Sequence, residues 1–150
     1  RRQRQMCIRD RLTSDHGFNL QEYGTLLGPI IDQIKSSGIR TSIFIDPDLE
    51  QVRRAAELGA DCIELYTGPF AQAWGTKHVE KIFSQHLAAS KLAADLGMRV
   101  NAGHDLNLVN LKQFALIPEL AEVSIGHALI VEALNRGLEE AIHAFRSALN

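Results

Sequence analysis

Apolar residues recur along this chain in two alternating rhythms. In residues 19–37, Leu26, Leu27, Ile30, Ile31 and Ile34 stand at helical spacing, and Gly38 supplies a stop signal. Gly28-Pro29 interrupts that run, so a kink or a late start is expected there. Residues 40–46 (RTSIFID) are β-branched and aromatic and end at Pro47, which predicts a strand. A helix over 48–58 ends at Gly59, and a strand over 61–66 (DCIELY) is closed by Thr67-Gly68-Pro69. Residues 71–96 carry one or two helices with a break at Trp74-Gly75. A strand over 98–101 (MRVN) then runs into Ala102-Gly103-His104. A helix is expected over 106–116, a strand over 122–125 (EVSI), and, after Gly126-His127, one long amphipathic helix over 128–149.

Strands joined by helical crossovers imply βαβ units and a parallel sheet. Ile43, Ile45, Ile63, Leu65, Val100, Val123 and Ile125 fall on one face, the one expected under the helices. Ser42, Phe44, Asp46, Cys62, Glu64, Asn101 and Ser124 fall opposite. An open doubly wound sheet needs both faces apolar, so a face this polar favours the interior of a barrel near its mouth. The fold class is therefore α/β of the (β/α)8 type. Four strands are half of eight, and 150 residues fall short of the roughly 250 that a whole barrel takes. The chain reads as half a barrel.

Composition changes this picture little. An apolar fraction of 45% and a charged fraction of 23% are those of an ordinary soluble domain. A net charge of -2 gives no basic footprint for nucleic acid or an anionic membrane. No apolar run approaches the roughly 20 residues of a membrane span. Cys7 and Cys62 lack metal-ligand spacing and read as two reduced thiols of a cytoplasmic protein. Residues 1–11 are dense in Arg and Gln, without an apolar period and without the apolar stretch of a secretory signal. They read as a non-native extension, the alternative being a native basic arm, and the domain is taken as 12–150.

Reactive groups of parallel α/β folds gather at the carboxyl ends of strands. Here those ends carry Asp46, Glu64 with Thr67-Gly68, Asn101 with Gly103-His104, and Ser124 with Gly126-His127. A mid-strand Glu64 facing a barrel interior is costly unless paired or used, so it is either a structural ion-pair member or a working carboxylate. His104, beside a glycine that permits close approach to a ligand, is a candidate general acid-base, or else a plain loop histidine. Gly126-His127 opens a helix, where unbonded amides and the helix dipole favour an anion such as phosphate; the alternative is an ordinary strand-to-helix turn. His16, His78, His86 and His143 fall at expected surface positions and receive no role.

The stretches SIFIDPDLEQVRRAAELGADCIELYTGPFA, MRVNAGHDLN and EVSIGHALIVEAL resemble the fifth to eighth strand regions of the pyridoxine 5'-phosphate synthase family. The similarity extends more weakly to LTSDHG from Leu12. The resemblance implies that the chain is the C-terminal half of the barrel. It implies condensation of 3-amino-2-oxopropyl phosphate with 1-deoxy-D-xylulose 5-phosphate, giving pyridoxine 5'-phosphate and phosphate without metal or organic cofactor. By the same resemblance His104 is the proton donor and Glu64 stabilises the transition state. Thr13, Asp105, Gly126 and His127 match substrate-binding positions. Phosphorylated small molecules are the implied substrates and a homo-oligomer, an octamer, the implied assembly.

Three departures stand out. Tyr66 occupies a place where the family often has His, TSDHG replaces a TTEGG-like motif at Thr13, and Asp105 replaces a glycine. The family's first three strands supply further acids, bases and phosphate contacts that no segment of this chain matches, so the chain alone is expected to be inactive. Two other readings stay open. An aldolase- or isomerase-type barrel would favour a Lys at a strand end, and none of the four strands has one. A non-catalytic half-barrel that binds phosphate ligands is the other.

Overall fold

The computed structural model describes residues 15–149. Helix α1 (Leu20–Ser36) starts where the Asn19 side chain accepts from the Gln21 amide, and it runs through Pro29 without a break. Strand β1 (Ser42–Ile45) leads to α2 (Leu49–Glu57), whose amides at Glu50 and Gln51 donate to the Asp48 carboxylate. Next come β2 (Cys62–Tyr66), α3 (Gly68–Ala73), α4 (Val79–Asp95) and β3 (Arg99–Gly103). The chain continues through α5 (Leu111–Phe114), β4 (Leu120–Ser124), α6 (His127–Arg136) and α7 (Leu138–Ala148).

The strands form one parallel sheet in the order β1-β2-β3-β4, so each strand pairs with its neighbours in sequence and no switch of order occurs among them. Register places Phe44 beside Glu64, Glu64 beside Asn101, and Asn101 beside Glu122. An irregularity between Val100 and Asn101 makes β4 skip one residue, Ala121, and this keeps Glu122 in that row.

The opposite face carries the core. Ile43, Ile45, Ile63, Leu65 and Val100 pack with Leu20, Ile31, Val52, Ala55, Ala89 and Ala93 from the first, second and fourth helices. A second cluster joins Phe70, Ala102, Leu106, Phe114, Ile117 and Phe145, with Val123 and Ile125 against it. The binary pattern thus assigned the two faces as the structure does. Cys62, expected on the polar face, is nonetheless buried and free; Cys7 lies outside the described residues.

Two expected helices differ. The one over 106–116 shrinks to α5, because the Asn107 side chain accepts from the Val109 and Asn110 amides while the Asn110 side chain accepts from the Asn107 amide. Those local bonds hold the backbone in turns until Leu111. The long helix over 128–149 is cut at Gly137, whose φ of 88° and ψ of 153° no other residue adopts readily. Among the described residues, no helix is long and apolar enough to cross a membrane.

Candidate functional site

The carboxyl ends of the strands bring together most of the residues singled out in the sequence. Glu64, on the polar face of β2, is half-buried. Burial raises its carboxyl above the ordinary value, the neighbouring Glu122 carboxylate raises it further, and His104 opposes both. Gly103 is needed beside it: a Cβ built there would lie 2.6 Å from Glu64 Oε1 and 3.1 Å from the Ser124 carbonyl oxygen. The carboxylate therefore lies directly over the backbone that leads to His104.

His104 and Asp105 both adopt positive φ, 81° and 56°, a conformation that costs a non-glycine residue about 1–3 kcal/mol. His104 Nδ1 stands 3.2 Å from the Asp105 carboxylate. The rings of Tyr66 and His104 meet in a T-shaped contact with centroids 5.3 Å apart, and Tyr66 meets Phe44 in another at 5.6 Å. Burial, then Asp105, Asp15 and Asp46, hold the Tyr66 hydroxyl above its usual titration range. Tyr66 is a neutral aromatic wall at the strand end.

A cleft of about 700 Å³ opens above β3 and β4, lined by His104, Asp105, Asn107, Ser124, Gly126 and His127 among others. Gly126 precedes α6 with no side-chain cap, and a Cβ added at Gly126 would meet nothing within 4 Å. The first turn of α6 thus lines the cleft without a capping side chain, an arrangement suited to an anion. Four of the sequence candidates, His104, Asp105, Gly126 and His127, share this cleft, and Glu64 adjoins it through Gly103. Thr13 lies outside the described residues. Gly17, near it in sequence, is docked on the end of β1, where its amide donates to Asp46 Oδ1 at 3.0 Å. Among the described residues, no group of three or more His, Cys, Asp or Glu side chains is placed to hold a metal ion.

A family model described as "Pyridoxal phosphate biosynthesis protein PdxJ" matches residues 7–150. The chain belongs to the PdxJ family. It is 46% identical over 142 residues to a pyridoxine 5'-phosphate synthase of Parabacteroides distasonis, covering 94% of this chain and 59% of that protein. It is 48% identical over 141 residues to the enzyme of the same name from Porphyromonas gingivalis, covering 93% and 59%. For that of Xylella fastidiosa the figures are 43% over 141 residues, 93% and 54%. The PdxJ chain thus spans between 54% and 59% of the length of these curated relatives.

Sequence reasoning misplaced one residue of this PdxJ chain. His86 was expected on a helix surface and is fully buried, with Nδ1 2.9 Å from the Ile82 carbonyl and Nε2 3.1 Å from the Tyr66 carbonyl. Burial lowers its pKa, and a neutral ring has one N–H to give to one of these carbonyls at a time. The signal was present: His86 shares a helical stripe with Ile82, Ala89, Ser90 and Ala93. Gln72 and Asn107 on the cleft wall also went unnamed, since only the tertiary fold brings them to it.

Proposed function

We propose that this chain forms the C-terminal half of a (β/α)8 barrel that makes pyridoxine 5'-phosphate from 3-amino-2-oxopropyl phosphate and 1-deoxy-D-xylulose 5-phosphate. The observation that carries the reading is identity of 43–48% to curated pyridoxine 5'-phosphate synthases across 93–94% of the chain. The cleft supports it. A phosphorylated substrate would rest its anion on the first turn of α6 at Gly126 and His127, where amides and dipole favour negative charge. That places carbon centres over β3 and β2, between His104 and Glu64.

Ring formation passes through carbonyl addition and loss of water, so oxygen leaving groups must be protonated. His104 is the donor, transferring through Nε2 while Asp105 holds Nδ1. With its carboxylate turned to that ring nitrogen, Asp105 orients the imidazole, which accounts for an acidic side chain near a phosphate site. Glu64, ionised, offsets positive charge that develops as imines form; its place next to Gly103 keeps it within the field of His104. Proton acceptors and further phosphate contacts come from strands that precede β1.

The half-barrel reading is favoured by burial across the sheet. β2 is nearly covered, whereas every residue of β4 is half-exposed or exposed, and α6 buries no residue. Ile130, Val131 and Leu134 of α6 stand in solvent, as a helix would whose neighbours lie on missing strands.

The test is to join residues 12–150 behind the N-terminal barrel strands of the Parabacteroides distasonis relative and assay phosphate release and pyridoxine 5'-phosphate. Turnover is expected, and His104→Ala should lower it about 10²–10⁴-fold with substrate affinity changed far less. A folded chimaera without product refutes the activity, and unchanged turnover in His104→Ala refutes the donor.

A further inference from the structure

We infer that Thr67 and Asn110 are positioning residues for His104, a buried clamp on the loop that carries it. The inference rests on the proton-donor reading of His104 and deepens it. Both side chains are out of solvent, Thr67 at 0% and Asn110 at 1% exposure. The Thr67 hydroxyl shares its one proton between the carbonyls of Gly103 and His104, and the Thr67 amide donates to the Gly103 carbonyl at 3.3 Å. The Asn110 side-chain amide donates to the carbonyl of Asp105 at 3.2 Å. Three consecutive carbonyls, 103 to 105, are thus held by two buried side chains, one from the end of β2 and one from the start of α5.

These are the peptides on either side of the two positive-φ residues. Left to local preference, His104 and Asp105 would relax toward negative φ and swing the imidazole off its line. Fixing the carbonyl planes fixes the direction of the His104 Cα–Cβ bond, and with it where the ring meets Tyr66 and the cleft. The hydroxyl's choice of partner is informative. Thr67 is the N-cap of α3, where a threonine ordinarily accepts from its own helix, yet no side-chain cap bond forms. The hydroxyl is turned instead to a loop 36 residues away. Asn110 is likewise braced, its side-chain oxygen accepting from the Asn107 amide at 2.8 Å so that its nitrogen points at Asp105.

The experiment uses the complete enzyme, with the strands preceding β1 in place. Thr67→Val keeps the shape and removes the hydroxyl; it should lower kcat about 10–100-fold, the range for a misaligned catalytic group, with KM within about threefold. Thr67→Ser restores the hydroxyl and should keep kcat within about threefold of the parent. On a His104→Gln background Thr67→Val should cost almost nothing further, because the group it positions is gone. Asn110→Asp, which keeps the acceptor for Asn107 and loses the donor to Asp105, should also lower kcat and spare KM. Turnover that survives His104→Gln overturns the donor reading and the clamp with it. With His104→Gln impaired, Thr67→Val and His104→Gln losses that simply multiply overturn the clamp alone, as does Thr67→Ser falling as far as Thr67→Val. Should Thr67→Val not fold, an unchanged kcat in Asn110→Asp overturns it.

Discussion

Glu64 sets the site's work against the stability of the fold. Its carboxyl is raised from an ordinary 4.5, chiefly by burial and next by Glu122, so ionising it costs more in the folded state than in the unfolded chain. The sign follows. Its contribution to stability is full below the ordinary carboxylate value and is lost as pH rises through the raised one. Glu64→Gln should therefore melt close to the parent near about pH 4 and above it at about pH 7, while turnover falls. Melting curves across that range check this, and a parent that loses nothing relative to Glu64→Gln as pH rises contradicts it. The candidacy of Glu64 was legible because a charge in a β-branched strand must be explained. That of Thr67 was not, because its partner carbonyls are brought to it only by the pairing of β2 with β3.

At the scale of elements, periodicity and punctuation carried most of the chain. Every strand came out within a few residues of its expected span, and Gly38, Gly59 and Gly97 all take the positive φ that ends a helix. The misses have local causes that periodicity does not register: paired Asn107 and Asn110 hold α5 to one turn, and Gly137 divides the last helix. The start of α6 gives the sharpest element-scale prediction. Gly126 has negative φ and open space where a Cβ would go, so Gly126→Val should fold normally. It should raise the KM for a phosphorylated substrate roughly tenfold or more, the factor carried by one lost bond to a charged group. An unchanged KM in the folded variant moves the phosphate elsewhere.

For the whole molecule, the half-barrel proposal has a physical consequence. Among the described residues β4 pairs with β3 alone, and Val109, Leu116, Ile130, Leu134 and Leu138 each stand more than half exposed. An unpaired strand edge flanked by apolar helices recruits whatever can pair with it. Residues 12–150 expressed alone should self-associate or aggregate and release no product phosphate, which light scattering and a phosphate assay would show. A monodisperse monomer with turnover would end the half-barrel reading.

The sequence by itself determined the alternation of helix and strand, the parallel class of the sheet, which face of each strand is apolar, and the strand ends that carry Glu64, His104 and Gly126-His127. These are properties of spacing, of glycine and proline, and of the cost of burying charge, all of which act over a few residues. Tertiary structure decided the rest. It set the register that lines up Phe44, Glu64, Asn101 and Glu122, buried His86 against the Tyr66 carbonyl, and brought Thr67 to the loop of His104. Those contacts join residues 20 to 37 positions apart. Only the packing of one strand on the next fixes which of them meet, and no local pattern encodes that distance.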